Sequence, residues 1–256
     1  NIDTINYNAI NSFIDNGIFS YGNTISTLNI GQDVEYIDYS IYNNILTSIN
    51  VHSNNNYYAS SNGVLYNKTM DILMRCPMGR TGTFTIPNSV TKLKMSAFSN
   101  CSSLTSITIP NSVLSIEDYV FSGCRSLTNM IIPNSVTSIG EGAFSTCTNL
   151  ASITLPDFMT SIKRATFFGC YALSTINIPN SVDSIGVDAF SNCIGLTTIT
   201  LPYSVTSIDI WAFSYCNNLN TIYSKNNTPP IISNETFLYI PTDAVLIVCD
   251  TAVYRA

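Results

Sequence analysis

Between residues 85 and 222 the apolar positions return every 23 residues without an insertion. Proline stands at Pro87, Pro110, Pro133, Pro156, Pro179 and Pro202, and phenylalanine at Phe98, Phe121, Phe144, Phe167, Phe190 and Phe213. Cysteine keeps the same step at Cys101, Cys124, Cys147, Cys170, Cys193 and Cys216. Three residues later come Leu104, Leu127, Leu150, Leu173, Leu196 and Leu219. Independent columns in one register mark a repeat architecture, because a unit this short cannot bury its apolar side until neighbours stack on it.

One unit reads Leu104-x-x-Ile107-x-Ile109-Pro110-x-x-Val113-x-x-Ile116-x-x-x-x-Phe121-x-x-Cys124. The alternation at Ile107-x-Ile109 predicts a short strand with one buried and one solvated side, so each unit should add one parallel strand to a long inner sheet. Proline lacks the N–H that a ladder needs and should end that strand. Val113 to Ile116 predicts a second short extended segment on another side of the coil, and Glu117 to Phe121 a bent or briefly helical return. Ala97, Val120, Ala143, Ala189 and Ala212, just before each Phe, suggest that the backbone passes close to a ladder of rings; Thr166 departs from that column.

The string from Ile132 to Thr154, Ile-Pro-Asn-Ser-Val-Thr-Ser-Ile-Gly-Glu-Gly-Ala-Phe-Ser-Thr-Cys-Thr-Asn-Leu-Ala-Ser-Ile-Thr, resembles the BspA-like, Treponema-type class of leucine-rich repeats, and the resemblance covers at least Phe84 to Ile222. It implies a leucine-rich repeat solenoid, mainly β, with short strands, turns, brief helical segments and a parallel inner sheet. Similar proteins occur on the surface of, or are secreted by, host-associated bacteria and some protists, often in adhesive roles. The resemblance therefore implies a protein or glycan ligand, including a host-derived one.

The regular array has atypical flanks. Phe19-x-x-Gly22-x-x-Ile25-x-x-Leu28-x-Ile30 and, after a two-residue deletion, Leu46-x-x-Ile49-x-Val51 are degenerate units, so residues 1–53 form an irregular N-terminal part, with Tyr42 in a Phe slot. Residues 54–84 read as an island, in which Gly63-Val-Leu-Tyr66 and Ile72-Leu-Met74 flank a turn as two strands. Six regular units fill 85–223. Asn226-Asn-Thr-Pro-Pro230 signals a turn, and 224–256 is expected to close the end of the array with Phe237, Tyr239, Ala244 to Val248 and Tyr254.

Composition narrows the function. The chain has 256 residues, is 45% hydrophobic and 10% charged, and can bury a continuous core. With 10 Lys and Arg against 16 Asp and Glu it has no basic surface for nucleic acid. Its apolar runs fall short of the roughly 20 residues of a membrane-spanning helix. The first residues, Asn1-Ile2-Asp3, fit either a removed leader or a late start. Four Asn-x-Ser/Thr triplets, at Asn67, Asn100, Asn226 and Asn234, arise readily by chance in a chain so rich in these residues.

Eight cysteines invite disulfides, and adjacent members of the column should lie about 4.8 Å apart if coils stack like strands. Their regularity favours one small buried side chain per unit. A column also presents sulfurs in a line, whereas zinc needs convergence. The single histidine, His52, precedes Ser53-Asn-Asn-Asn56 and reads as a loop imidazole, with no serine or cysteine in reach for a triad. Glu117, Asp118 and Glu141, with Lys163, Arg164, Asp183, Asp188 and Asp209, read as a mixed, solvated return side. No catalytic, metal or cofactor site is assigned, and the chain is expected not to be an enzyme.

The candidate binding face comes from residues that alternate with the buried strand positions. One column is Ser106, Asn129, Ser152, Thr175, Thr198 and Thr221; its neighbour is Thr108, Ile131, Thr154, Asn177, Thr200 and Tyr223. Thr and Ser suit a solvated sheet face, while Ile131 and Tyr223 add apolar contact. Three readings follow: an adhesive surface or secreted module, an intracellular interaction scaffold, and a structural spacer. If the rings form one ladder, Phe144→Ala leaves a void between two stacked neighbours and should cost about 3 to 5 kcal/mol in urea unfolding; a loss below about 1 kcal/mol would place Phe144 outside such a ladder.

Overall fold

A computed structural model describes residues 3–8, 24–37, 41, 43–226 and 228–248. Phe19, Gly22, Tyr42, Cys249 and Tyr254 lie outside the described residues. Strands are numbered in chain order. The Ile-x-Ile positions form β1 (Thr4–Tyr7), β2 (Thr27–Ile30), β3 (Ser48–Val51), β7 (Gly82–Thr85), β9 (Leu104–Thr108), β11 (Asn129–Ile131), β13 (Ser152–Thr154), β15 (Thr175–Ile176), β17 (Thr198–Leu201), β19 (Thr221–Ser224) and β21 (Val245–Val248). The segment after proline forms two-residue strands: β8 (Lys92–Leu93), β10 (Ser115–Ile116), β12 (Ser138–Ile139), β14 (Ser161–Ile162), β16 (Ser184–Ile185), β18 (Ser207–Ile208) and β20 (Ile231–Ile232). The island supplies β4 (Tyr58–Ser61), β5 (Val64–Asn67) and β6 (Ile72–Arg75).

Both ladders are parallel, as the repeat predicts, but neither is continuous. The long strands pair as β1-β2-β3, β7-β9, β11-β13-β15 and β17-β19-β21, and the short ones as β6-β8-β10-β12 and β14-β16-β18-β20. The long-strand ladder is interrupted between β9 and β11, where β9 carries a register shift against β7, and again between β15 and β17. β2 and β3 pair 21 residues apart, which places the two-residue deletion between them.

The return is bent rather than helical; no helix occurs among the described residues. Its backbone alternates. Ser96, Phe98 and Asn100 donate their N–H groups to the carbonyls of Asp118, Val120 and Ser122 in the next coil at 3.0, 2.9 and 2.7 Å, while Ala97, Ser99 and Cys101 close turns within their own coil. The pattern recurs along the array, for example from Gly142, Phe144 and Thr146 to Arg164, Thr166 and Phe168. Aiming alternate N–H groups the same way requires left-handed backbone two residues before and two after each Phe. Positive φ is found at Ser96, Tyr119, Gly142, Ala165, Asp188 and Trp211, and at Asn100, Gly123, Thr146, Gly169, Asn192 and Tyr215.

The core lies between these three stitched sides. Phe98 to Phe237 stack as a single column, with centroids 5.1 to 5.6 Å apart and planes within 22°. Phe237 is 24 residues after Phe213, and β20 and β21 pair with β18 and β19 at that same step. Residues 228–248 therefore belong to a further coil whose step is one residue longer. Ile231, Ile232 and Val245 to Val248 on that coil are exposed.

The island is a wall between two cores. β5 and β6 pair antiparallel, as expected from their sequence, and β6 also joins β8 in parallel. Val64, Tyr66, Leu73 and Cys76 face the core of the regular array, whereas Leu65 and Met74 face the N-terminal core of Leu28, Ile30, Val34 and Ile49. Asn55 ties the island down: its buried amide donates to the carbonyls of Gly31 and Val34 at 2.8 and 2.9 Å, and its oxygen accepts from the N–H groups of Tyr57 and Tyr58. Arg75, also buried, donates to the carbonyls of Ser96 and Ile41, one on each side of the wall.

Thr146 carries a β-branched side chain at φ 55°, a conformation favourable only to Gly and tolerated by Asn. Because Asn100 and Asn192 hold the same slot, Thr146→Asn should raise stability by about 1 kcal/mol. A urea midpoint at or below that of the unsubstituted chain would contradict the strain.

Candidate binding face

The coil leaves two kinds of side chain free: those on the outer side of the long strands, and those at the turns. On the long strands the buried and exposed positions alternate as the pleat demands, with Leu104, Ile107 and Ile109 inside and Ser106 and Thr108 outside. All twelve candidate residues fall on that outer side. Ten are exposed; Thr200 and Thr221 are half-buried.

The ladders bring those residues together in stretches. Asn129, Ser152 and Thr175 are register partners in one column, and Ile131 and Thr154 in the next. Thr198 pairs with Thr221, and Thr200 with Tyr223. Ser106 and Thr108 pair instead with Thr83 and Thr85. At the break between β9 and β11 the face opens into a groove of about 600 Å³, lined by Thr105, Ser106, Thr108, Asn111, Asn129 and Ile131. Ile131 is 72% exposed there, on a strand whose other outward residues are polar.

The same columns run further towards the N-terminus than the sequence reading placed them. Asn6, Asn29 and Asn50 are register partners, and the amide of each successive Asn donates to the previous one, at 2.8 and 3.0 Å. With Asn8, Gly31 and His52 they line a second groove of about 300 Å³. The signal was available: Asn29 alternates with Leu28 and Ile30, and Asn6 precedes it by 23 residues. His52 remains an exposed loop residue whose Nδ1 accepts the Asn54 N–H at 3.2 Å.

Two carboxylates of the return side, Glu117 and Asp118, are engaged in structure. Glu117 bridges Lys92 at 2.7 Å and Lys94 at 3.4 Å. Burial pulls its pKa up, but the bonds from Lys92 and the Met95 N–H and the two ammonium charges outweigh that and hold it below the usual range. Asp118 accepts the Glu141 N–H at 2.8 Å.

Cysteine does more than fill space. Cys124, Cys147, Cys170, Cys193 and Cys216 each point Sγ at the carbonyl of the Phe 26 residues earlier, at 3.1 to 3.2 Å. That carbonyl also accepts the N–H of the Cys in its own coil. The thiol is thus a donor that links coils, which residue spacing alone did not reveal. The seven cysteines of the described residues are free and buried, and no three of His, Cys, Asp and Glu converge as metal ligands among those residues. No helix among them is long and apolar enough to cross a membrane.

A stack of short parallel strands, closed by a ring ladder and carrying an open polar face, defines a leucine-rich repeat solenoid. The chain belongs to the family described as BspA type Leucine rich repeat region, whose model matches residues 1–70, 78–193 and 150–245 in six copies. It is similar to the crystal structure of a leucine-rich repeat protein from Eubacterium ventriosum, with 31% identity, a TM-score of 0.79, and coverage of 86% of this chain and 61% of that one. A leucine rich cell surface protein from Faecalibacterium prausnitzii is 26% identical, with a TM-score of 0.55 and coverage of 87% and 60%. The pneumococcal vaccine antigen PcpA, 16% identical with a TM-score of 0.58 over 98% of this chain and 68% of that one, shares the fold. This chain therefore spans about three fifths of the first two. No curated protein matches it.

Burial pushes the thiols of Cys147 and Cys216 from an ordinary 9.0 up to about 12, and raises those of Cys124, Cys170 and Cys193 as well. Unfolded thiols release protons first, so this contribution is intact below pH 9 and lost as pH climbs towards 12. Each such thiol should weaken folding by up to about 1.4 kcal/mol per pH unit in that window. Urea midpoints should fall between pH 8 and pH 10, and fall less in Cys147→Ala; identical slopes would contradict the assignment.

Proposed function

We propose that this chain is a non-catalytic binding module, displayed on a cell surface or secreted, which engages a protein or glycan, including one from a host, through the outer side of its long strands. The observation that carries this reading is the groove between β9 and β11, where Ile131 stands 72% exposed among hydroxyl and amide side chains. An apolar anchor inside a polar rim is the usual composition of a recognition surface. Tyr223 supplies a second anchor further along the same column. A rigid array also lets weak contacts add, because the second contact is made at high effective concentration once the first has formed. The cell-surface protein of Faecalibacterium prausnitzii, similar over 87% of this chain, supports the same placement.

One observation favours a second reading, an intracellular interaction scaffold: all seven cysteines of the described residues are free thiols, which suits a reducing compartment. Determining the mature N-terminus and the cellular location of the natural protein separates the two. For the face itself, the triple variant Thr108→Ala, Ile131→Ser, Tyr223→Ser should fold as the parent does and lose at least tenfold in binding to immobilised host matrix proteins and epithelial cells. Equal binding by the folded variant would remove this face from the function.

A further inference from the structure

The turns that carry the Phe ladder hold a second set of exposed side chains, and their chemistry differs from that of the long-strand face. Six of the twelve left-handed positions flanking the ladder from Phe98 to Phe213 are held by Gly, Asn or Asp: Gly142, Asp188, Asn100, Gly123, Gly169 and Asn192. These types fit such backbone. Four left-handed positions carry large aromatics instead: Tyr119, Trp211, Tyr215 and, one coil beyond, Tyr239, at φ 56 to 60°. They are 41, 39, 44 and 60% exposed, so each keeps a large part of its ring open to solvent.

Three of the four crowd into the last two described coils. The rings of Tyr215 and Tyr239 lie 4.7 Å apart, inclined by 30°. The indole N–H of Trp211 donates to the Glu235 carboxylate of the next coil, which fixes the ring by its polar edge. Trp211 and Tyr215 thus flank Phe213 on one coil, and Tyr239 continues the Tyr215 position on the next, so the three rings form one fixed cluster. The chain has no Lys or Arg from Gly186 to Ser224, while Asp188, Asp209 and Glu235 lie along the same turns and Asn217 and Asn218 are exposed beside them.

We infer that Trp211, Tyr215 and Tyr239 form a binding strip for a neutral oligosaccharide, separate from the long-strand face. The apolar C–H face of a pyranose stacks on an aromatic ring, and its hydroxyls take the amide and carboxylate groups at the rim. The acidic surroundings repel phosphate, sulfated glycans and nucleic acid. A stable protein complex buries about 800 Å² on each partner, more than a strip a few side chains wide presents.

Trp211 is the only tryptophan, so its emission reports on the strip alone. Titrating the full chain with cellohexaose, maltohexaose, a linear galactan oligosaccharide and a high-mannose glycan should give a saturable change in that emission with at least one of them. The variant Trp211→Asp, Tyr215→Asn, Tyr239→Asn takes the residue types that the preceding coil holds at Asp188 and Asn192. It should remain folded by circular dichroism and, by calorimetry, bind that glycan at least tenfold more weakly. The Thr108, Ile131 and Tyr223 variant should bind it normally. Silence with all four glycans would overturn the strip, as would undiminished glycan affinity in the strip variant. So would glycan binding lost through the long-strand variant, or capture of a cationic protein in place of any glycan.

Discussion

Each coil from Phe98 to Phe190 hands three backbone N–H groups forward at the Phe turn, and the rest of the structure follows from where they land. Those of Tyr119, Phe121 and Gly123 end on the carbonyls of Glu141, Ala143 and Ser145 in the coil that follows. Left without that coil, the ring ladder and its apolar neighbours would be open to water, and those donors would lose their partners in the stack. A single unit therefore has no native state of its own. Phe stacking and the Cys-to-Phe carbonyl bond add to the same interface, so neighbouring coils fold and unfold together.

That constraint acts on the backbone, which explains what the sequence made legible. Columns defined by side-chain size, such as Phe144, Leu150 and Pro156, could be read directly, together with the strands they imply. The left-handed columns could not, because Ser96, Tyr119, Gly142, Ala165, Asp188 and Trp211 share no residue type, only a φ angle. The sulfur bonds were hidden for a similar reason: regular cysteine spacing is equally compatible with inert packing, and only the approach to the Phe carbonyl separates the two. At the C-terminal end, one inserted residue put Phe237 out of step, and Pro229-Pro230 read as a stop although the ladder continues through it.

The candidate face was legible to a comparable depth. Pleat alternation alone assigned Ser106, Asn129 and Ser152 to solvent, and Ile131 stood out as the apolar exception. The breaks in the long-strand ladder were not visible, since no residue in the candidate columns marks them; the first lies beside a strand whose register shifts against β7. Yet the break is what turns a flat sheet into a groove at Ile131. The island had a similar outcome. Its hairpin was readable from Val64 to Met74, whereas its role as a two-sided wall depends on which core each side chain meets.

Positions in this array fall into two groups by what the stack demands of them. Phe, Cys, Leu and the small residue before each Phe are confined by contact with the coils on both sides, so a change there propagates. Outward strand positions pair along the ladder but face solvent, and threonine, serine or asparagine fills most of them. Ile131, Tyr223, Trp211 and Tyr239 depart from that choice while keeping 72, 36, 39 and 60% of their surface exposed. In a scaffold whose interior repeats so closely, both proposed binding surfaces rest on such departures.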